Sequence, residues 1–340
     1  MSRSRLELSR AQILSFRRRV SALDQRLPLA PASLRQAAWA GLQDSMPRAA
    51  LFSIHARVAQ TTPSTWEDPS LVQVWGPHFS VFIVARRDLA VFSLARLPDD
   101  ARGRQRAEHL AGRLRAMLDG RKMGYGDAGD ALGVDPNSLR YAAATGTVLI
   151  RWDGARQPTI WTQPPPEMDA GEARLELARR YLHIYGPATT QEFGRWAGIG
   201  PRSAVSAFAA LGPSLTAVQT PVGDGWILSA DEAAFRTAAG APAAARLLPS
   251  GDAYLLLHGA ARQLLIPNPH QQALLWPTRV WPGGVLVDGE IVGTWRRSSA
   301  IVTVQLWRTL SPAQRQAVTA EAHSLPLAGG EARIALRWQE

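Results

Sequence analysis

The sequence predicts an α+β chain of tandem winged-helix units, each three helices and a β-hairpin, followed by a C-terminal β-barrel or curled sheet. Three observations lead there. One order of helices and strand-like runs occurs at least twice. Asp-Gly pairs at 153–154, 224–225 and 288–289 punctuate those runs as hairpin turns do. After about Ala245 the helical spacing gives way to short β-rich stretches.

The first clear unit begins with Arg104 to Leu118, where Ala107, Leu110, Leu114 and Met117 fall on one helical face. A second helix spans Asp127 to Leu132 and stops at Gly133. Asp135-Pro136-Asn137 opens a third, which runs to Thr145-Gly146. Strand-like runs at Val148–Trp152 and Pro158–Thr162 flank the Asp153-Gly154 turn. Three helices and a hairpin form a winged helix, in which the third helix enters the major groove and the hairpin lies along the backbone.

The order recurs with helices Glu172–Tyr185, Thr190–Trp196 and Arg202–Leu211, then strands Leu215–Val222 and Trp226–Leu228 around Asp224-Gly225. In the N-terminal part, Leu8–Val20, Leu34–Leu42 and Pro47–Val58 read as helices, and Val81–Val84 with Ala90–Leu94 as a hairpin. The C-terminal part reads as strands at Tyr254–His258, Gln263–Ile266, Val285–Val287, Ile291–Thr294 and Ile301–Trp307, a helix at Ser311–His323 and a strand at Arg333–Trp338. Linkers are expected at Gln163–Pro166 and Ala238–Ala245. The expected domains are therefore 1–100, 101–166, 167–237 and 246–340.

Lys and Arg number 38 against 28 for Asp and Glu, a net +10 that favours a polyanionic partner. Lys122 is the only lysine. Without cysteine the chain has no disulfide, thiolate nucleophile or Cys-based metal site. The charged N-terminus lacks a signal-peptide core, and no run approaches the ~18 apolar residues of a membrane span. A cytoplasmic, nucleoid-associated protein is expected, without membrane contact, metal or cofactor.

Gly124-Tyr125-Gly126-Asp127-Ala128-Gly129 has the letters of a dinucleotide-binding loop but is expected to follow a helix, whereas that loop requires a preceding strand. His55, His78, His183 and His258 are scattered and read as packed or surface histidines. Trp152, Trp161, Trp226, Trp281 and Trp295 lie in or beside predicted strands, where core packing and base stacking are both open.

Three stretches carry a resemblance: Gly41-Leu42-Gln43-Asp44-Ser45-Met46-Pro47-Arg48-Ala49-Ala50, the run from Arg246 to Tyr254, and the run from Gly284 to Arg296. With them the chain, from about Leu8 to Trp338, resembles the winged-helix DNA-binding family that includes the bacterial interstrand-crosslink glycosylases AlkZ and YcaQ. The resemblance implies hydrolysis of the N-glycosidic bond of N7-alkylguanine, in monoadducts or crosslinks, for repair or genotoxin self-resistance. It implies a monomer acting on alkylated double-stranded DNA as a monofunctional glycosylase. The family's Gln-x-Gln or Gln-x-Asp pair, which positions water, is matched at Gln43 and departs at Ser45. Asp44 is the neighbouring carboxylate.

Two readings of this segment stand side by side. In one, Gln43, Asp44 and Ser45 are catalytic. In the other, Asp44 or Ser45 caps the helix that begins at Pro47 and Gln43 bonds the backbone. The expected DNA contacts are Arg48, Asn137, Arg140, Arg151, Arg156, Arg202 and Ser203, and Asp252 is expected to be structural. A non-catalytic DNA-binding protein or transcriptional regulator is the alternative function.

Overall fold

The chain is described by a computed structural model covering residues 6–46, 48–154, 157–237, 240–327 and 334–339. Pro47, Arg156 and Arg333 lie outside the described residues, as does the start of the linker at Ala238.

The N-terminal part holds helices Arg10–Val20, Pro31–Ala37 and Ala49–Arg57 and a three-stranded sheet. The expected Leu34–Leu42 helix ends early. Gly41 adopts φ +73, a left-handed turn that suits glycine, and Leu42–Gln43 then becomes an edge strand on Val81–Ala85. The hairpin partner of Val81–Ala85 is Leu71–Trp75, not Ala90–Leu94. Leu89–Leu94 is a helix instead. A short apolar run has no periodicity to separate strand from buried helix, and tertiary packing decided it.

The second unit has helices Ala101–Leu118, Tyr125–Leu132 and a third built from short turns between Pro136 and Thr145. Its hairpin pairs Val148–Arg151 with Thr159–Thr162. Met123–Gly124 adds an antiparallel strand, so a strand does precede the Gly-rich helix. It is two residues long and antiparallel, which leaves the parallel βαβ unit of a dinucleotide site unbuilt there.

The third unit has helices Ala170–Tyr185, Thr190–Ala197 and Pro201–Leu211. Thr189 and Glu192 form a reciprocal cap on the middle helix. The hairpin turns at Pro221-Val222, because Asp224 and Gly225 are paired with Gln219 and Val218 within the ladder. Leu6–Glu7 pairs in parallel with this hairpin, so the strand that precedes helix Arg10–Val20 joins the third unit's sheet.

The C-terminal sheet runs in the order Ala245–Leu248, Gly283–Val287, Glu290–Ser298, Ile301–Leu306, Ala335–Gln339. It is open, not the expected closed barrel: each outer strand has one partner among the described residues, and the last joins in parallel. Helix Pro312–His323 packs on this sheet, burying Val318 and Ala322 with Val285 and Val304. Two expected strands are absent. The Asp252 side chain accepts from Tyr254 N (2.8 Å) and winds Ala253–Leu255 into a 3-10 turn, and Ala261–Leu265 is helical.

One core joins the parts that surround the site described below. Phe82 and Phe92 from the first unit, Tyr181, Tyr185, Phe193 and Trp196 from the third, and Tyr254 and Trp276 from the C-terminal part bury together. No helix among the described residues is long and apolar enough to cross a membrane.

Candidate functional site

The turn after Leu42–Gln43 sorts its side chains by strand alternation and by the bend at Ser45-Met46. Gln43 is half-buried, Asp44 fully buried and Ser45 exposed. Gln43 Nε2 donates to Ser45 Oγ at 3.2 Å, so the two side chains share one side of the turn. Asp44 faces the other side. Its Oδ1 accepts from Ala50 N at 3.1 Å, capping the first turn of Ala49–Arg57, and its Oδ2 accepts from Gln73 Nε2 at 2.9 Å and Arg48 Nη1 at 3.3 Å.

Gln43 and Ser45 open onto a cleft of about 310 Å³. Phe82 and Trp196 supply apolar wall, and His78, His258, Arg279 and Trp281 complete it. The Ser250-Gly251 loop closes one side, with Gly251 at φ +73. A Cβ there would stand 2.5 Å from Gln43 Oε1, so only glycine permits so close an approach.

That loop is held from below. Arg57 forks onto Asp252 at 2.7 and 2.8 Å, Ser53 Oγ donates to the same carboxylate at 2.7 Å, and both charged side chains are buried. The structural expectation for Asp252 thus has a definite content: it bolts the loop over Gln43 to helix Ala49–Arg57.

Burial pushes the Asp44 carboxyl up to about 6, against the pull of Arg48 and the donors from Ala50 and Gln73. Burial, with Arg262, His78 and Arg195 nearby, lowers His258 to about 4, so its imidazole is neutral at neutral pH. His78 Nε2–H donates to the Arg195 carbonyl at 2.6 Å, which ties its loop to the third unit.

The predicted DNA contacts are not gathered in one place. Arg48, at φ +64, turns inward: Nη2 donates to the Trp152 carbonyl at 2.7 Å, and the guanidinium lies 3.7 Å over Trp66. Arg151 covers Trp66 at 3.8 Å and pairs with Glu67. Asn137 and Arg140 form a separate surface cluster around the Tyr125 hydroxyl, which donates to Asn137 Oδ1 at 3.0 Å and accepts from Arg140 Nε at 3.2 Å. Arg202 is exposed at the start of its helix, and the neighbouring Ser203 hydroxyl donates to Asp99. Arg156 lies outside the described residues.

The sequence reading did not single out Gln73, and it took His258 as a packed or surface histidine and left Trp281 between core packing and stacking, without placing either at the cleft. Gln73 had a signal: it is one polar residue within the apolar strand Leu71–Trp75, and a buried amide demands partners. His258 had none, because its cleft is assembled from segments far apart in the chain.

The family model for DNA glycosylase AlkZ-like proteins matches residues 37–326. The chain is 31% identical over 177 residues to an interstrand DNA cross-link repair glycosylase of Streptomyces sahachiroi. That alignment covers 51% of the chain and 46% of the relative, about half of each. The fold is similar to that of the Streptomyces sahachiroi DNA glycosylase AlkZ, with a TM-score of 0.78, 19% identity, and 98% and 100% of the two chains covered. At that identity the likeness is one of mixed α+β fold.

Proposed function

From the premise that the chain belongs to the AlkZ-like DNA glycosylase family, we propose that it hydrolyses the N-glycosidic bond of N7-alkylated guanine in duplex DNA, in monoadducts or crosslinks. The observation that supports this most directly is the Gln43–Ser45 pair, 3.2 Å apart on the rim of a walled cleft. The Gln43 carbonyl accepts a hydrogen bond from a water and the Ser45 hydroxyl donates one to it, which places the water oxygen for attack on the sugar carbon. Alkylation at N7 makes the base cationic, so it departs without a general acid. What the protein supplies is position and charge stabilisation for the oxocarbenium-like transition state.

Ser45 brings no charge to that task, and the buried Asp44 carboxylate stands behind the turn. Three winged-helix units, 1–100, 101–166 and 167–237, with the C-terminal sheet domain at 246–340, are read as the DNA-gripping frame. Asn137, Arg140 and Arg202 lie on its surface, and Arg151, on the hairpin, stacks on Trp66 and pairs with Glu67. N7 lies in the major groove, so these elements approach the lesion from its own side.

The test is release of base from a duplex carrying one N7-methylguanine, read as strand breaks after abasic-site cleavage. Release well above the spontaneous rate, strongly slowed by Gln43→Ala, is the expected outcome. Tight, salt-dependent duplex binding with no release would instead make this a non-catalytic DNA-binding protein.

A further inference from the structure

The buried side of the turn touches no part of the cleft, yet it is the better connected side. Gln73, itself buried in strand Leu71–Trp75, faces two ways. Its Oε1 accepts from Trp152 N at 2.8 Å, and its Nε2 donates to the Trp152 carbonyl at 3.1 Å and to Asp44 Oδ2 at 2.9 Å. Arg48 repeats the link, donating to Asp44 and to the same Trp152 carbonyl. Trp152 immediately follows hairpin strand Val148–Arg151 of the second unit. Outside it, Trp66 is sandwiched between Arg48 and Arg151. Two polar side chains and a three-layer stack thus join the turn of one unit to the hairpin of the next.

The amide of Gln73 has one permitted orientation, because Trp152 N–H must meet its oxygen. Its nitrogen therefore faces Asp44, and Arg48 and Ala50 N present donors to the same carboxylate. Position 44 must accept at both oxygens. An asparagine there would set a donor against a donor in either orientation.

We infer that Asp44 and Gln73 are positioning residues that couple the hairpin of the second unit to the Gln43–Ser45 turn, so that a duplex engaged by the hairpin fixes where the turn holds water. The coupling rests on the duplex-binding reading above. It uses Asp44 as an anchor and asks no contact between its carboxylate and the substrate.

The test measures hydrogen exchange across residues 42–52 in the full chain, free and with an undamaged duplex, beside single-turnover release from an N7-methylguanine duplex. Wild type is expected to slow exchange in the turn when the duplex binds. Gln73→Met, which keeps volume and removes all three side-chain hydrogen bonds, and Asp44→Asn are expected to bind the duplex with unchanged affinity, lose that slowing, and release base about 100-fold more slowly, the scale of a misplaced reacting group. Exchange and rates read at a temperature well below each variant's own thermal midpoint separate the loss from unfolding.

A pH profile adds a second reading. Asp44 faces the cations Arg48 and Arg151, and Glu67 and Asp153 face Arg48. Wild-type release is expected to fall as pH drops through about 6, when the carboxyl takes a proton and ceases to accept from two donors, and Asp44→Asn is expected to lack that limb. Duplex-induced slowing in wild type, lost in both variants but with no base release from any protein, keeps the coupling and removes the glycosylase reading. Variants that match wild type in exchange and rate, or a chain that binds no duplex, overturn the coupling.

Discussion

Two buried carboxylates anchor segments that line the cleft to helix Ala49–Arg57 and are held differently. Asp252 receives both arms of Arg57, the Ser53 hydroxyl and Tyr254 N, all at 2.7–2.8 Å. Asp44 receives two neutral donors and one guanidinium contact of 3.3 Å. The first arrangement compensates a buried charge fully, and its geometry leaves no freedom to the loop that covers Gln43. The second compensates less, and burial raises the Asp44 carboxyl to about 6, within reach of ordinary changes in pH. One buried acid fixes architecture; the other leaves a poised link between two units.

Removing the stronger clamp is expected to cost most. Arg57→Met leaves Asp252 buried without its countercharge, and a loss of about 3–5 kcal/mol in unfolding free energy follows for a broken buried pair. Arg48→Met, by the same denaturant titration, is expected to cost clearly less, because Asp44 keeps two donors and can accept a proton. Equal losses would break the contrast between the two acids.

Next is Gln43→Ala on the open side of the turn. Base release is expected to fall by about 10²–10³-fold, the scale for one preorganised polar group, with duplex affinity and thermal midpoint retained. A large stability loss instead would make Gln43 part of the fold rather than of the cleft.

Gly251→Ala tests what the Asp252 clamp achieves. The left-handed φ and the 2.5 Å approach to Gln43 Oε1 predict a loss of more than about 1 kcal/mol together with slower release. Wild-type stability and rate in this variant would show that the loop is free to retreat from Gln43.

The remaining effect is in the pH dependence of folding. A carboxyl raised from 3.8 to about 6 binds its proton more tightly in the folded chain, so the stability it contributes is present below pH 3.8 and lost as pH rises through about 6. The difference in thermal midpoint between wild type and Asp44→Asn, followed from pH 4 to 7, should shrink or reverse as pH rises. A flat difference would place Asp44 in a more solvated setting. His55 runs the other way: its pKa, lowered to about 3 by burial, contributes stability present above 6.5 and lost as pH falls toward 3. The difference measurement removes that background.

Legibility in the sequence followed the range of the forces involved. Helix Ala170–Tyr185 and its successors at Thr190 and Pro201 were readable because periodicity, a capping box and an N-terminal proline are local signals. Leu89–Leu94 and Ala261–Leu265 overlap runs read as strands, since segments of five or six residues are too short to show a period. The turn at Asp224-Gly225 was displaced to Pro221-Val222 by the register of the ladder, which cross-strand pairing sets. At the site, Gln43 and Ser45 were identified as a pair from the family motif. Nothing in that motif says that the residue between them points inward to Gln73, 29 positions away.

The sequence by itself determined the repeated helix-and-hairpin order, the positive charge and the polar turn at 43–45, because each is written in neighbouring residues or in composition. The tertiary structure alone decided that the C-terminal sheet stays open, that Arg48 and Arg151 turn onto Trp66, and that Asp44 is buried while Gln43 and Ser45 face a cleft. Those outcomes depend on which distant groups share a desolvated space. The free energy of a charge or a donor there is set by the partners that packing brings to it, and not by its neighbours along the chain.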